Sequence, residues 1–290
     1  IGLCLVGSEM CIRDRHSIPY EIVMHDGWWM SPEQFLVSPA GVVINPSDPL
    51  AHIDHVPSDE EKEEAYERRD ILYGILERAE RRIAVSSSFK TICEQAGIQK
   101  IDVQENQFTP MNISNNNSEK SESNHQSINC CHIGGMSIHK GYQLLRNAVR
   151  LIPRDLPLHF TIVDHSLSDQ SKQYYSDWNG YNVQFIAPIP MHQMPEFYST
   201  QDVLVAPSIW PESFGLVSRE ALSAGLWVIA SDAGALAEPL KNSAEKVGSV
   251  VIPNDAQDLA DALKRVPKDI ETRSKNNLDH NNINEMRGEA

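Results

Sequence analysis

Cysteine is scarce, five in 290 residues, and no C-x-x-C pair occurs. That excludes a zinc ribbon or a disulfide framework. Cys130 and Cys131 are adjacent, so on a strand they leave opposite faces and cannot form an ordinary bridge. Such usage suits a reducing cytoplasm. Positive charge is short too: 25 Lys and Arg against 40 Asp and Glu give a net charge of −15. A surface that acidic repels phosphate backbones and argues against nucleic acid as a partner. No apolar run approaches the roughly 20 residues with which a helix spans a bilayer, and peripheral membrane association stays open. Hydrophobic residues make up 41% and charged residues 22%. This is a globular profile, and it excludes wholesale disorder, collagen and a coiled-coil rod.

The first fifteen residues, IGLCLVGSEMCIRDR, fit neither a signal peptide nor a strand–turn–helix pattern. Their core resembles one reading frame of a transposon-type sequencing adapter. Segment 1–15 is therefore set aside, with the authentic chain expected to begin upstream. Residues 16–111 then read as part of a first domain. Tyr20–Met24 is a buried strand, 31–58 a long loop with a small hairpin at Gly41–Ile44, and Asp59–Arg82 a helix. A short strand (Ile83–Val85), a helix (Phe89–Ala96) and a strand (Lys100–Val103) follow. Residues 112–129, rich in Asn, Ser and Glu, bury too little apolar area to order themselves and read as a linker. From 130 to 265 strands (130–133, 158–163, 182–186, 203–206, 227–230, 249–252) alternate with helices (141–151, 191–199, 215–224, 255–265). That alternation predicts a doubly wound parallel α/β sheet. A polar tail closes the chain from 266 to 290.

Two stretches carry chemistry. In Ala206–Gly225 a strand ends, a loop follows and Gly215 opens a helix, whose unpaired N–H groups suit a phosphate. Glu212 and Glu220 stand eight apart there. They read either as acceptors for ribose and sugar hydroxyls or as a terminal charge and an exposed helix Glu. In His132–Gly141 a strand runs into Gly134 and Gly135, and Lys140 precedes a glycine at a helix start. Lys140 reads either as a diphosphate counter-ion or as a solvated lysine beside a turn. The spacing is not the G-x-G-x-x-G fingerprint. Both stretches follow strands of one doubly wound sheet, where ligands of such sheets bind.

PSIWPESFGLVSREALSAGLWVIASDAGALAEPL, GGMSIHKGY, MHDGWW and RIAVSSSF together resemble the family 4 glycosyltransferases, over about residues 19–265. The resemblance implies a GT-B architecture of two Rossmann-like domains, with the donor domain C-terminal. It implies transfer of a sugar from a nucleotide sugar, such as a UDP- or GDP-sugar, to a carbohydrate or lipid-linked acceptor. Anomeric configuration would be retained, with no bound metal and no cofactor, in cytoplasmic synthesis of cell-surface glycans. By the same resemblance Glu220 binds the ribose and Glu212 the donor sugar. Ser213, Phe214, Gly215, Leu216 and Val217 line the diphosphate with Gly134 and Gly135, and Lys140 balances its charge. Ala187, Pro188 and Ile189 border the base, and His25 is a cleft histidine near donor and acceptor.

The family's glycine-motif arginine is Gly135 here, and Asn106-Gln107 stands where Asn-Gly is usual. The early strands of the acceptor side have no counterpart. Two competing readings remain. One is a nucleotide-sugar-binding fragment without turnover. The other is a metallohydrolase built on His25, Asp26, His52, Asp54 and His55, in a Pro-rich loop whose spacing fails the usual metal pattern. Trp28 and Trp29 read as sugar-stacking rings or as packing.

Overall fold

A computed structural model describes residues 18–51, 53, 58–111, 127–169 and 171–288, with side chains as far as Ser274. Segment 1–15, residues 112–126 and His52, Asp54 and His55 lie outside the described residues. The chain divides into two compact units, Ile1–Asn106 and Gln107–Ala290. Each is mixed α/β, the class expected from the sequence.

The first unit holds three parallel strands in the order β1 (Glu21–Met24), β2 (Arg81–Ala84) and β3 (Ile101–Val103). Helix α1 (Asp59–Arg78) starts at Ser58, whose hydroxyl accepts the Glu61 N–H at 3.4 Å, with Asp59, Glu60 and Glu61 against the positive end of the dipole. Helix α2 (Ser87–Gln95) is capped in the same way by Ser86, which accepts the Phe89 N–H at 3.0 Å. The helix read as ending at Arg82 ends four residues earlier. Ala79 is extended and the Glu80 N–H donates to Tyr20 O at 2.9 Å, which passes the chain into the sheet. Arg81 is therefore a strand residue, bonded to Glu21 at 2.9 Å and Asp102 at 3.0 Å on the flanking strands. Near the expected hairpin, Val37 and Val43 form an antiparallel bridge.

The second unit is built on β4 (Ile128–His132), β5 (Leu158–Val163), β6 (Gln173–Trp178), β7 (Tyr181–Ile186), β8 (Val203–Ala206), β9 (Trp227–Ser231) and β10 (Gly248–Val251). Their order is β10-β9-β8-β4-β5-β7-β6, and β6 alone runs antiparallel. Helices α3 (Tyr142–Val149), α4 (Met194–Ser199), α5 (Leu216–Ser223), α6 (Glu238–Lys241) and α7 (Ala256–Gly288) complete it. Cys130 and Cys131 are both buried and free, as a sheet covered on both faces requires. One core cluster joins Cys131, Leu204, Ala206, Val228 and Ala230 of the sheet to Met194, Tyr198 and Ala221 of the helices.

Three readings need correction. Strand β4 begins at Ile128, inside the stretch read as linker. Strand β6 was not expected; it pairs with β7 from Gln173↔Ile186 to Trp178↔Tyr181. The C-terminal helix runs far beyond 265 and includes Pro267. Leu259, Leu263 and Val266 are buried, Lys246 pairs with Asp269 at 2.9 Å, and Arg273 donates to Gly225 O at 2.9 Å. These contacts hold the helix to the unit past the proline.

Strand β4 is bordered by β5 on one side and β8 on the other, so connections leave it in both directions. The crevice beyond β4 and β8 is the topological switch point, where such sheets bind ligands. Both motif loops emerge there, and Gly141 lets them touch. Its φ is +75°, and a Cβ would lie 1.9 Å from Pro207 O. Gly141→Ala should cost at least about 2 kcal/mol in urea unfolding, combining left-handed strain with a backbone clash. Gly225 has φ +81° but nothing within 4 Å, so Gly225→Ala should cost only about 1 kcal/mol. Equal losses would show that the close approach to Pro207 is unimportant.

Candidate active site

The two loops are stitched through one carbonyl. His139 O accepts Ile209 N–H at 2.9 Å, Trp210 N–H at 3.3 Å and the Ser208 hydroxyl at 2.9 Å. Above this seam Lys140 Nζ donates to Glu212 Oε1 at 2.7 Å, and the single Ser208 O–H is shared between His139 O and that same oxygen, 2.9 Å from each. The lysine also lies 5.7 Å from the centre of the Trp210 ring. Glu212 is 7% exposed, and its backbone is bracketed by a bridge to Gly234 and by Ala235 N–H donating to Glu212 O at 2.7 Å. Two residues 72 apart in sequence thus form one partly buried ion pair across the switch point, its carboxylate the more enclosed partner.

Helices α3 and α5 both start from a left-handed glycine, Gly141 or Gly215, with no side-chain cap. Their first N–H groups are left without the usual Ser or Asp acceptor, which suits an anion. Phe214 and Gly215 are buried, Ser213 and Val217 half-buried and Leu216 exposed. The turn is locked from behind by Arg219, whose guanidinium donates to Phe214 O, to Ala235 O at 3.4 Å and to Glu238 Oε2 at 3.1 Å. It also lies 4.0 Å from the Phe214 ring centre.

Glu220 lies inside α5, 6% exposed, and accepts the Tyr198 O–H at 3.3 Å. Burial raises its carboxyl above the ordinary range, and the Tyr198 bond only partly offsets this. Burial and Glu220 together push the Tyr198 phenol far up, so it stays a donor. Ile189, just beyond β7, and Val217 pack on the core cluster that contains Tyr198. Ala187 is buried, and Pro188 half-buried.

The glycine loop is braced by His132, which is 2% exposed. Its Nδ1 faces Val205 O at 2.9 Å and its Nε2 Gly135 O at 3.0 Å. Burial lowers its pKa against the pull of these two carbonyls, and the ring braces β4 against β8. Desolvation likewise holds the His139 imidazole down at about 4.

The structure brings together Lys140, Glu212, Gly134, Gly135 and the Phe214–Val217 turn. His25 belongs to the first unit, where it is exposed at the end of β1. Neighbouring Asp26 is committed to the fold, accepting Trp28 N–H at 3.0 Å and Gln34 Nε2 at 2.8 Å. Arg68 lies 5.8 Å from the Trp28 ring centre. Among the described residues no three His, Cys, Asp or Glu side chains are grouped to hold a metal. Sequence inspection missed Tyr198, His132, Ser208 and Arg219. Only His132 carried a signal, standing two residues before the glycine pair.

Two uncapped helix starts and a partly buried lysine–carboxylate pair thus stand at the switch point of a doubly wound α/β sheet, the place where such sheets bind ligands. The family model described as "Glycosyl transferases group 1" matches residues 114–282, and the chain belongs to that family. Over 69 residues it is 36% identical to the lipopolysaccharide core biosynthesis mannosyltransferase LpsB of Rhizobium meliloti, covering 24% of this chain and 19% of that protein. Over 87 residues it is 37% identical to a D-inositol 3-phosphate glycosyltransferase of Corynebacterium aurimucosum, covering 30% and 20%. The matched stretch thus spans about a fifth of either relative's length. The structure of Anabaena Alr3699/HepE in complex with UDP-glucose superposes with a TM-score of 0.59 at 20% identity, over 91% of this chain and 66% of that one. The fold is accordingly the α/β, GT-B type expected from the sequence.

Two outcomes follow from the site's electrostatics. Lys140→Met strands a buried carboxylate and should lower the unfolding free energy by about 1–3 kcal/mol, with most of the loss recovered in Lys140→Met/Glu212→Gln. A double variant no more stable than the single would show that the pair is not coupled. Folding raises the Glu220 pKa, so the folded state holds an extra proton and stability falls as pH rises through that raised value. Glu220→Gln removes this dependence. Its thermal midpoint relative to the parent should therefore rise between about pH 4 and about pH 8, and a flat difference contradicts the burial account.

Proposed function

We propose that the intact protein transfers a glycosyl group from a nucleotide sugar to an acceptor, as a family 4 enzyme whose E-x7-E motif is Glu212–Glu220. The observation that carries this reading is the Lys140–Glu212 pair, 2.7 Å apart beside two uncapped helix starts at the switch point. Departure of the sugar leaves a nucleoside diphosphate with growing negative charge. Lys140 and the N–H groups of Phe214, Gly215 and Leu216 stabilise that charge in place, the task a preorganised anion site performs. Fixed donors of this kind do the work assigned to a metal ion elsewhere, in keeping with metal independence. Gly134 and Gly135 admit the phosphates close to the backbone, and Ser213 and Phe214 complete the turn.

Glu220 accepts the ribose hydroxyls, with Tyr198 holding the carboxylate in place. Ala187, Pro188 and Ile189 border the base. Glu212, already bonded by Lys140 and Ser208, keeps lone pairs for a donor-sugar hydroxyl. His25, exposed at the end of β1 in the first unit, is assigned a role toward donor and acceptor. The anomeric configuration is retained. LpsB is named for lipopolysaccharide core biosynthesis and HepE was solved with UDP-glucose; both support a UDP- or GDP-sugar donor and a carbohydrate or lipid-linked acceptor in cell-surface glycan synthesis. No helix among the described residues is long and apolar enough to cross a membrane. A cytoplasmic place, with peripheral contact at the inner membrane face, completes the proposal.

The two glutamates provide the test. Glu220→Ala should weaken free UDP or GDP by about ten- to a hundredfold, the cost of removing an acceptor from buried hydroxyls. Glu212→Ala should leave nucleotide affinity nearly unchanged and depress turnover of the nucleotide sugar. Calorimetric titration of both variants, beside a transfer assay run with and without chelator, reads all of this. Equal nucleotide losses reverse the roles, and activity abolished by chelator contradicts metal independence.

A further inference from the structure

The phosphate loop is short of uncommitted positive charge. Lys140 is matched by Glu212 at 2.7 Å, and Arg219 by Glu238 at 3.1 Å. His132 is enclosed, with both ring nitrogens on carbonyl oxygens. An esterified diphosphate brings a negative charge on each phosphate, so Lys140, shared with Glu212, leaves room for a further side-chain donor.

His165 lies directly beyond β5, next to β4 in the sheet. Its ring packs beside Gly135: a Cβ there would meet His165 Cδ2 at 3.3 Å and Nε2 at 3.5 Å. The imidazole is exposed and makes no hydrogen bond among the described residues. The preceding Asp164 feels its charge but is not hydrogen-bonded to it. Asp164 Oδ1 accepts the Ser166 N–H at 2.9 Å and hydroxyl at 2.7 Å, and Oδ2 accepts the Tyr174 O–H at 3.0 Å. Although burial pushes the Asp164 carboxyl up, these bonds prevail and hold it below its usual range. Tyr174, raised to about 12 by burial and by Asp164, remains a donor. The titratable groups that interact with His165 are Asp164 on its own loop and His132 on β4, with Tyr174 of β6 bonded to Asp164.

We propose that His165, packed against Gly135 with its imidazole exposed, donates a hydrogen bond to the donor's diphosphate as a second side-chain donor beside Lys140. This rests on the nucleotide-sugar reading above and deepens it.

The test is calorimetric titration of the whole chain with UDP and with uridine. His165→Ala should lower UDP affinity by about three- to tenfold, a modest factor because solvent screens an exposed contact. Uridine affinity should not change. His165→Lys, which keeps a donor at this place, should bind UDP at least as tightly as the parent. UDP affinity unaltered in His165→Ala, or uridine affinity lowered by the same factor, overturns the assignment while leaving the nucleotide reading intact. A parent chain that binds neither UDP nor GDP overturns both.

Discussion

Everything at this site depends on the contact between Lys140 and Glu212. It joins a loop after β4 to a loop after β8, the one place in the sheet where the chain turns both ways. A nearly buried carboxylate is costly unless paired and hydrogen-bonded, and Lys140 and Ser208 meet that need together. The surrounding features keep the pair in register. Gly141 admits Pro207, His139 O gathers three donors from the opposite loop, His132 braces β4 against β8, and Arg219 fixes the Phe214 turn. Such a frame is rigid before any ligand arrives, which is what stabilising a developing charge requires.

Much of the fold could be read from periodicity alone. The alternation from β4 to β10 follows apolar runs separated by Gly and Pro, and burial on both faces leaves little ambiguity. Failures occurred where a local rule met a competing one. Arg81 fits the basic end of a helix, yet parallel pairing with β1 and β3 claims it between two carboxylates. Pro267 reads as a stop, yet ties from Lys246 and Arg273 keep the helix in place beyond it. Strand β6 could have been found. Asn179-Gly180 separates Trp178 from Tyr181, and both turn residues have positive φ, the signature of a tight hairpin.

The site was legible in part because motifs mark what the backbone does. Gly141 and Gly215 announce helix starts open to an anion, and Lys140, Glu212 and Glu220 stand at fixed offsets from them. The supporting residues were hidden. Tyr198 lies 22 positions before Glu220, and its role appears only when α4 packs beside α5. Ser208 and Arg219 have unremarkable neighbours in sequence and gain meaning only from the carbonyls and carboxylates that the fold brings to them.

The central claim is that a nucleoside diphosphate seats at this switch point. Hydrogen–deuterium exchange of the chain with and without UDP or GDP tests it most directly. Slowed exchange confined to 134–141, 214–220 and 187–189 is the predicted result. Unchanged exchange in those segments, or protection elsewhere in the chain, would contradict it.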